Sequence, residues 1–128
     1  MSSQRTNAHG GQATTAELQW ALNLRSTNVL ITGAPQTDVA TVRAGIADPV
    51  TVIADDLPHD LAGTCVVLDA VRLTRDQQTA LWIRLDGEPA LRLITLSPVA
   101  LYPFVESGQF DEMLYYRLNT IIVDWIAD

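Results

Sequence analysis

The chain of 128 residues contains no lysine, and its eight basic residues are single arginines scattered along the sequence. The formal net charge is −7, and no basic stripe is present. Contacts to the phosphate backbone supply most of the affinity of proteins for nucleic acids. We therefore expect no direct binding of DNA or RNA.

Cysteine and histidine are equally scarce. Cys65 is the single cysteine and lies in the apolar run TCVVLDA, and His9 and His59 stand alone. One cysteine forms neither a disulfide framework nor a zinc site, and in an apolar run it is typical of a buried side chain. We expect no metal and no cofactor.

Long apolar runs are also missing, since none approaches the roughly 20 residues that a membrane-crossing helix needs. The N-terminal stretch MSSQRTNAHGGQATT is polar and lacks the apolar segment of a secretory signal. We therefore expect a cytoplasmic protein without membrane contact. Residues 1–14 are predicted to be a flexible tail, and residues 15–128 a single domain.

The remaining sequence is 48% apolar and alternates between strand and helix patterns. Helices are predicted at 15–25, 37–46, 74–85, 99–107 and 110–118. Strands are predicted at 28–33, 50–54, 64–70, 90–97 and 119–125. This alternation predicts an α/β fold, a three-layer αβα sandwich around a five-stranded parallel sheet.

The stretch LRLITLSPVALYPFVESGQFDEMLYYRLN, residues 91–119, is long and idiosyncratic. It resembles the sensor strand and arginine-finger segment of the AAA+ domain of bacterial enhancer-binding proteins, the activators of sigma-54 RNA polymerase. Weaker blocks follow the same order over about residues 16–125. The resemblance implies a P-loop NTPase core in which strand 119–125 forms one edge. Strands 28–33, 90–97, 64–70 and finally 50–54 would follow.

NVLITGAPQTDVA falls on the phosphate-binding loop, or Walker A block, of this family. Gly33 and Thr37 match the pattern, but Gln36 and Asp38 replace glycines and Val39 replaces the lysine. Glycines let backbone N–H groups wrap the phosphates, and lysine neutralises them. Asp38 would instead place a negative charge there, and its carboxylate or the Thr37 hydroxyl could cap the free N–H groups.

GTCVVLDAVRLTRDQQTALWIRL resembles the Walker B block and the helix after it. The gapless register places Leu68 at the magnesium-organising aspartate and Asp69 at the catalytic glutamate. A shift of one residue places Asp69 and Ala70 at these two positions. In either register one of the two carboxylates is missing.

The sensor Thr-Asn pair is replaced by Ser97-Pro98, and proline has no N–H and no amide with which to orient water. In GQFDEMLYYRLN, Asp111 stands at the first finger arginine, and Arg117 fits the second as a vestige. The spacing of the apolar residues predicts that this segment is retained because it packs in the core. These residues are Phe110, Leu114, Tyr115 and Leu118.

The family inserts a long excursion with a G-A-F-T-G-A loop after its second helix, and only a short link stands there in this chain. Residue 128 lies where the family continues into a helical lid, so the resemblance implies a core with the lid absent. Together these departures predict a pseudo-ATPase, not an enzyme. It would be an inactive relic that acts as a protein-interaction or regulatory module, with a tie to transcription control.

Two surfaces are candidates for such an interaction. Trp125 and Ile126 end an apolar terminal segment, and a strand at the edge of a sheet leaves them and its backbone available. Val52, in strand 50–54 at the opposite edge, is the second candidate. The expected occupant is a protein partner or a second copy in a homodimer.

Three other interpretations stay open. A receiver domain would use Asp69 as phosphoacceptor, but receivers need an acidic pair after the first strand and a lysine later. A weak nucleotide-binding domain without hydrolysis is the second. The third is an enzyme with different chemistry around Asp55 and Asp56 at a strand end, although a solvated loop explains these two residues as well.

Overall fold

The computed structural model describes residues 4–5, 15–24, 27–33, 39–46, 50–54, 56–58, 61–87 and 91–124. Its centre is a parallel sheet in the order β1-β6-β2-β5-β4-β3. The strands are β1 (Gln4–Arg5), β2 (Val29–Thr32), β3 (Val50–Ile53), β4 (Thr64–Val67), β5 (Arg92–Ser97) and β6 (Ile121–Asp124).

The order of the five predicted strands is confirmed. β2 lies between β5 and β6, and β3 forms one edge of the sheet. A receiver-like order would have placed β3 beside β2, so the receiver interpretation is wrong at the level of topology.

One feature of the predicted order is also wrong. Gln4 and Arg5 pair in parallel with Ile121 and Ile122, so β6 has a neighbour and is not the last strand of the sheet. A polar two-residue strand has no apolar periodicity of its own, and its conformation depends on the partner strand that offers free backbone groups.

Helices cover both faces of the sheet, which confirms the three layers. They are α1 (Thr15–Leu22), α2 (Val39–Ala44), α3 (Arg75–Gly87), α4 (Tyr102–Glu106) and α5 (Glu112–Leu118). Core residues of α3 and α5 pack with Leu30 and Leu93 on one face. Those of α1 and α2 pack with Ile31 and Ile94 on the other.

The central strands are buried along their whole length. All residues of β2, β4 and β5 are buried, and successive residues such as Leu93 and Ile94 enter opposite cores. A strand covered on both faces favours apolar side chains on both of them, which explains nearly continuous apolar runs instead of alternation. The predicted inward residues Leu81, Leu85, Leu114 and Leu118 are all in the core.

Helix α3 begins at a reciprocal cap. The Thr74 hydroxyl accepts from the Gln77 backbone N–H at 3.1 Å, and the Gln77 side-chain oxygen accepts from the Thr74 N–H at 2.9 Å. This capping box satisfies donors that the first turn of a helix leaves without partners. It fixes the point at which the chain leaves the sheet and enters α3.

The end of α2 lies very close to α1. A Cβ atom added to Gly45 would come within 2.7 Å of Leu22 Cδ1 and 2.9 Å of Gln19 Nε2. A larger residue at this position would require the ends of the Leu22 and Gln19 side chains to move.

Candidate functional site

The carboxyl ends of the parallel strands meet at one edge of the sheet, where α/β proteins commonly bind ligands. Gly33 follows β2 there with a φ of 81°, a conformation that favours glycine. Val39 begins α2. Gln36, Thr37 and Asp38 lie outside the described residues, so the predicted capping by Asp38 or Thr37 stays a prediction.

A polar pair lies at the base of this edge. The Thr32 hydroxyl donates to Asp124 Oδ1 at 2.6 Å, which joins the last residues of β2 and β6. Thr32 is also the register partner of Ser97 at the end of β5, and Ser97 is fully buried. The sequence pattern did not predict the contacts of Thr32 with Asp124 and Ser97. Threonine and aspartate at a strand end are also typical of a solvated turn.

Ser97, at the position predicted for the sensor, forms its side-chain hydrogen bonds within its own turn. Its hydroxyl donates to the Val99 carbonyl at 2.5 Å and accepts from the Val99 N–H at 3.4 Å, across Pro98. A buried hydroxyl that is committed to the local backbone in this way has little capacity to orient a water molecule.

Asp69 has a local role of the same kind. β4 ends at Val67, the half-buried Leu68 follows, and Asp69 caps a single turn of 3-10 helix, Ala70–Arg72. Asp69 Oδ1 accepts from the Val71 N–H at 3.0 Å. Short polar side chains commonly satisfy the free N–H groups of a helical turn. Asp69 therefore has a structural role as a helix cap, whichever register of the predicted Walker B block is chosen.

A cleft of about 180 Å³ lies beside Asp69, on the β3 side of the sheet. It is lined by Ile53, Ala54, Val67, Asp69, Arg72, Leu73, Thr74 and Gln77. This volume is below the roughly 300 Å³ at which pockets for drug-sized ligands begin. The described part of the cleft has room for water or a small ion.

Arg117 lies away from this edge. Its Nη2 donates to the Leu85 carbonyl at 2.8 Å, its Nη1 is 3.9 Å from Asp86 Oδ1, and its guanidinium lies 5.3 Å from the centre of the Trp82 ring. A cation at the carboxyl end of α3 interacts favourably with the helix dipole and its last carbonyls. The structure thus does not bring Arg117 together with Gly33 and Asp69.

Asp111, at the position predicted for the first finger arginine, caps the start of α5. Its Oδ2 accepts from the Leu114 N–H at 2.8 Å. The turn before it is held by Gln78, which is 2% exposed and donates to the Leu73 and Gln109 carbonyls while it accepts from the Asp111 N–H. Buried amides of this kind are stable only when their hydrogen bonds are made.

Two polar residues near the amino ends of the strands, the buried Arg92 and the half-buried Asn28, were not singled out from the sequence. Arg92 is 5% exposed and donates to the carbonyls of Thr27, Ala21 and Leu22. Asn28 donates to the Arg117 carbonyl and accepts from the Leu93 N–H. The signal for Arg92 was available, since a cation inside an apolar strand must find partners.

The two predicted interaction surfaces have different outcomes. Val52 is 36% exposed on β3, whose outer edge has no neighbour among the described strands. Trp125 and Ile126 lie outside the described residues.

In the described part of the chain, no three histidine, cysteine or acidic residues are grouped as metal ligands. The described helices include none with the length and apolar character needed to cross a membrane.

No protein-family model matches the chain, and no curated protein sequence matches it. Solved structures of NtrX from Brucella abortus have the same fold. The complex with ADP shares 17% identity, with a TM-score of 0.65 over 85% of this chain and 34% of the NtrX chain. The complex with ATP shares 15%, with a TM-score of 0.67 over 86% and 34%. A further NtrX structure shares 15%, with a TM-score of 0.65 over 89% and 37%.

The chain therefore spans about a third of the length of these NtrX chains. At this identity the likeness establishes a shared fold.

Proposed function

We propose that this chain is a non-catalytic protein-interaction domain on an AAA+ core of the sigma-54-activator type, and that it acts in transcription control. The proposal combines the family resemblance, the fold shared with NtrX and the loss of the residues that ATP chemistry requires. Phosphoryl transfer depends almost entirely on positioning and on charge stabilisation of the phosphates. A chain without lysine lacks the main cation of that chemistry.

One observation carries the proposal. The described side chains at the predicted catalytic positions are committed to hydrogen bonds within the chain. Asp69 caps a turn, Ser97 closes a turn, Asp111 caps α5, and Arg117 binds the end of α3. Binding of ATP and magnesium at the carboxyl edge would compete with the contacts of Asp69 and Ser97.

Calorimetry with Mg-ATP tests the loss of nucleotide chemistry. We expect no binding tighter than about 1 mM, a limit that corresponds to roughly 4 kcal/mol of binding free energy. A micromolar dissociation constant, or phosphate release above the buffer rate, would contradict the proposal.

A restored loop supplies the matched control. The triple variant Gln36→Gly, Asp38→Gly and Val39→Lys returns the backbone freedom and the cation that cradle phosphates. We expect it to bind Mg-ATP more tightly than the parent chain. The single variant Val39→Leu, which adds no charge, should bind no better than the parent.

A second candidate is weak nucleotide binding without hydrolysis. The observation that favours it is that NtrX has been solved in complex with both ADP and ATP. The same titrations separate the two candidates, because a weak binder would give a saturable heat with Mg-ATP and no phosphate release.

Self-association is the homodimer version of the proposed interaction. Light scattering at micromolar concentration should give a mass above one chain, and Trp125→Asp should lower it. Trp20→Asp is the control, since Trp20 is 51% exposed on α1. If the parent chain and both variants have the mass of a single chain, the homodimer version is wrong and the partner is a different protein.

A further inference from the structure

An aromatic surface lies on α4 and α5. Tyr102 and Tyr116 are each 40% exposed, and Met113 is 60% exposed. Met113 and Tyr116 are three residues apart on α5 and are therefore neighbours on its surface. We call Tyr102, Tyr116, Met113 and the two glutamates described next the tyrosine surface.

The rings of Tyr102 and Tyr116 both pack against the buried ring of Tyr115. The Tyr115 ring, which is buried, lies 5.5 Å from the Tyr102 ring in a tilted arrangement and 5.2 Å from the Tyr116 ring edge-on. Aromatic pairs prefer such geometries over face-to-face stacking. The exposed rings therefore form a supported cluster on a rigid base.

Each exposed tyrosine has a glutamate one helical turn away. Glu106 follows Tyr102 by four residues on α4, and Glu112 precedes Tyr116 by four residues on α5. Residues at this spacing share a helix face. Both glutamates are exposed.

The electrostatics of Tyr102 agree with this placement. Its phenol has a raised pKa because of the neighbouring Tyr116 first, then burial, and then the charges of Glu106 and Glu112. Both carboxylates are thus close enough to act on the same ring.

We propose that the tyrosine surface binds a basic, arginine- or lysine-containing segment of a partner protein. The inference rests on the proposed interaction function and identifies the chemistry of one partner. Aromatic faces attract cations, and two flanking carboxylates add complementary charge. A second copy of this chain is a poor occupant, because it would bring two glutamates and a net charge of −7 to a surface that is already acidic.

The probe is a short synthetic peptide of alternating arginine and alanine, titrated into the full chain by calorimetry at low salt. We expect a dissociation constant of about 100 µM or tighter, from several cation–π and charge contacts together. A peptide of alternating glutamate and alanine should not bind. No heat with the arginine peptide would overturn the inference.

Variants separate this surface from the general acidity of the chain. Tyr102→Ala with Tyr116→Ala should weaken binding about tenfold, since each exposed cation–π contact is worth a factor of a few. Glu112→Gln should also weaken it. Ile83→Ala and Asp76→Asn are the matched controls on α3, both at exposed positions. Equal effects of the controls and the surface variants would overturn the inference.

Nuclear magnetic resonance keeps the test independent of the variants. In the unsubstituted chain, the arginine peptide should shift the amide signals of α4 and α5 more than those of α3. Shifts concentrated elsewhere would contradict the assignment even if the double variant failed to fold. Failure of this test leaves the Mg-ATP titration unaffected, so the two proposals fall separately.

Discussion

At the scale of single residues, Arg92 connects the end of α1 to the central sheet. It stands at the start of a central strand and donates to Thr27 at 2.7 Å, Ala21 at 3.2 Å and Leu22 at 3.1 Å. The last two carbonyls belong to the end of α1, where a helix leaves acceptors without partners. One buried cation therefore fixes α1 to the sheet.

We expect Arg92→Met to lower the free energy of unfolding by about 3 kcal/mol, because charge-assisted bonds are lost and buried carbonyls stay unsatisfied. Urea unfolding measures this. Arg43→Met, at an exposed position of α2, is the control and should change stability by less than about 0.5 kcal/mol. Equal effects of the two variants would contradict the role of Arg92.

Cys65 should be a poor nucleophile in the folded chain. Burial raises the pKa of its thiol, and this outweighs the opposing effect of a backbone hydrogen bond at Ala62. Only the thiolate reacts, so labelling by a thiol reagent at neutral pH should be slow in the native chain and fast in urea. Because the folded-state pKa is raised, the stability linked to this group is present below the unfolded pKa and is lost as pH rises through the folded one.

Rapid labelling of the native chain at neutral pH would show that strand β4 opens readily. A labelling rate that follows urea concentration, together with loss of the helical circular dichroism signal, would instead connect reactivity to global unfolding.

At the scale of elements, α5 depends on its cap. Asp111 supplies the carboxylate that accepts from Leu114, and the helix buries Leu114, Tyr115 and Leu118 against the core. We expect Asp111→Ala to cost about 1 kcal/mol of stability. Asp111→Asn should retain most of it, since asparagine caps almost as well. Thermal unfolding of the two variants gives the comparison, and equal losses would contradict capping.

The elements with continuous or periodic apolar patterns were predictable. The strands of NVLITG, TCVVLDA and ALRLITLS are buried on both faces, and a pattern with that origin is readable without tertiary information. The core stripe of α5 was readable for the same reason. The strand order came from the resemblance, because local pattern alone does not say which strands pair.

The hydrogen bonds at the site were not predictable. Thr32 meets Asp124 across 92 positions of sequence, and Asn28 meets Arg117 across 89. Such pairs arise from the folded sheet and leave no local signal. The sequence did not predict β1, because its strand conformation depends on pairing with β6.

At the scale of the whole molecule, like charge opposes compactness. With eight basic and fifteen acidic residues, the folded chain carries a formal charge of −7. Salt screens such repulsion. We expect the free energy of unfolding to rise by roughly 1 kcal/mol between about 20 mM and 500 mM NaCl.

Removal of two exposed charges is the control for this effect. Asp56→Asn with Asp76→Asn should reduce the salt dependence without changing the core. A fall in stability with salt would mean that attractive ion pairs outweigh the net repulsion. Urea titrations at the two salt concentrations decide between these outcomes.

The position of β2 also constrains how the chain can fold while it is being synthesised. Val29 pairs with Ile94 on one side and Ile121 on the other, so the central strand leaves the ribosome long before either neighbour exists. Folding of such non-local sheets is slow and waits for late segments. A nascent chain that pauses before β6 would hold β2 with one unpaired edge, and at that stage it would depend on chaperones to avoid aggregation.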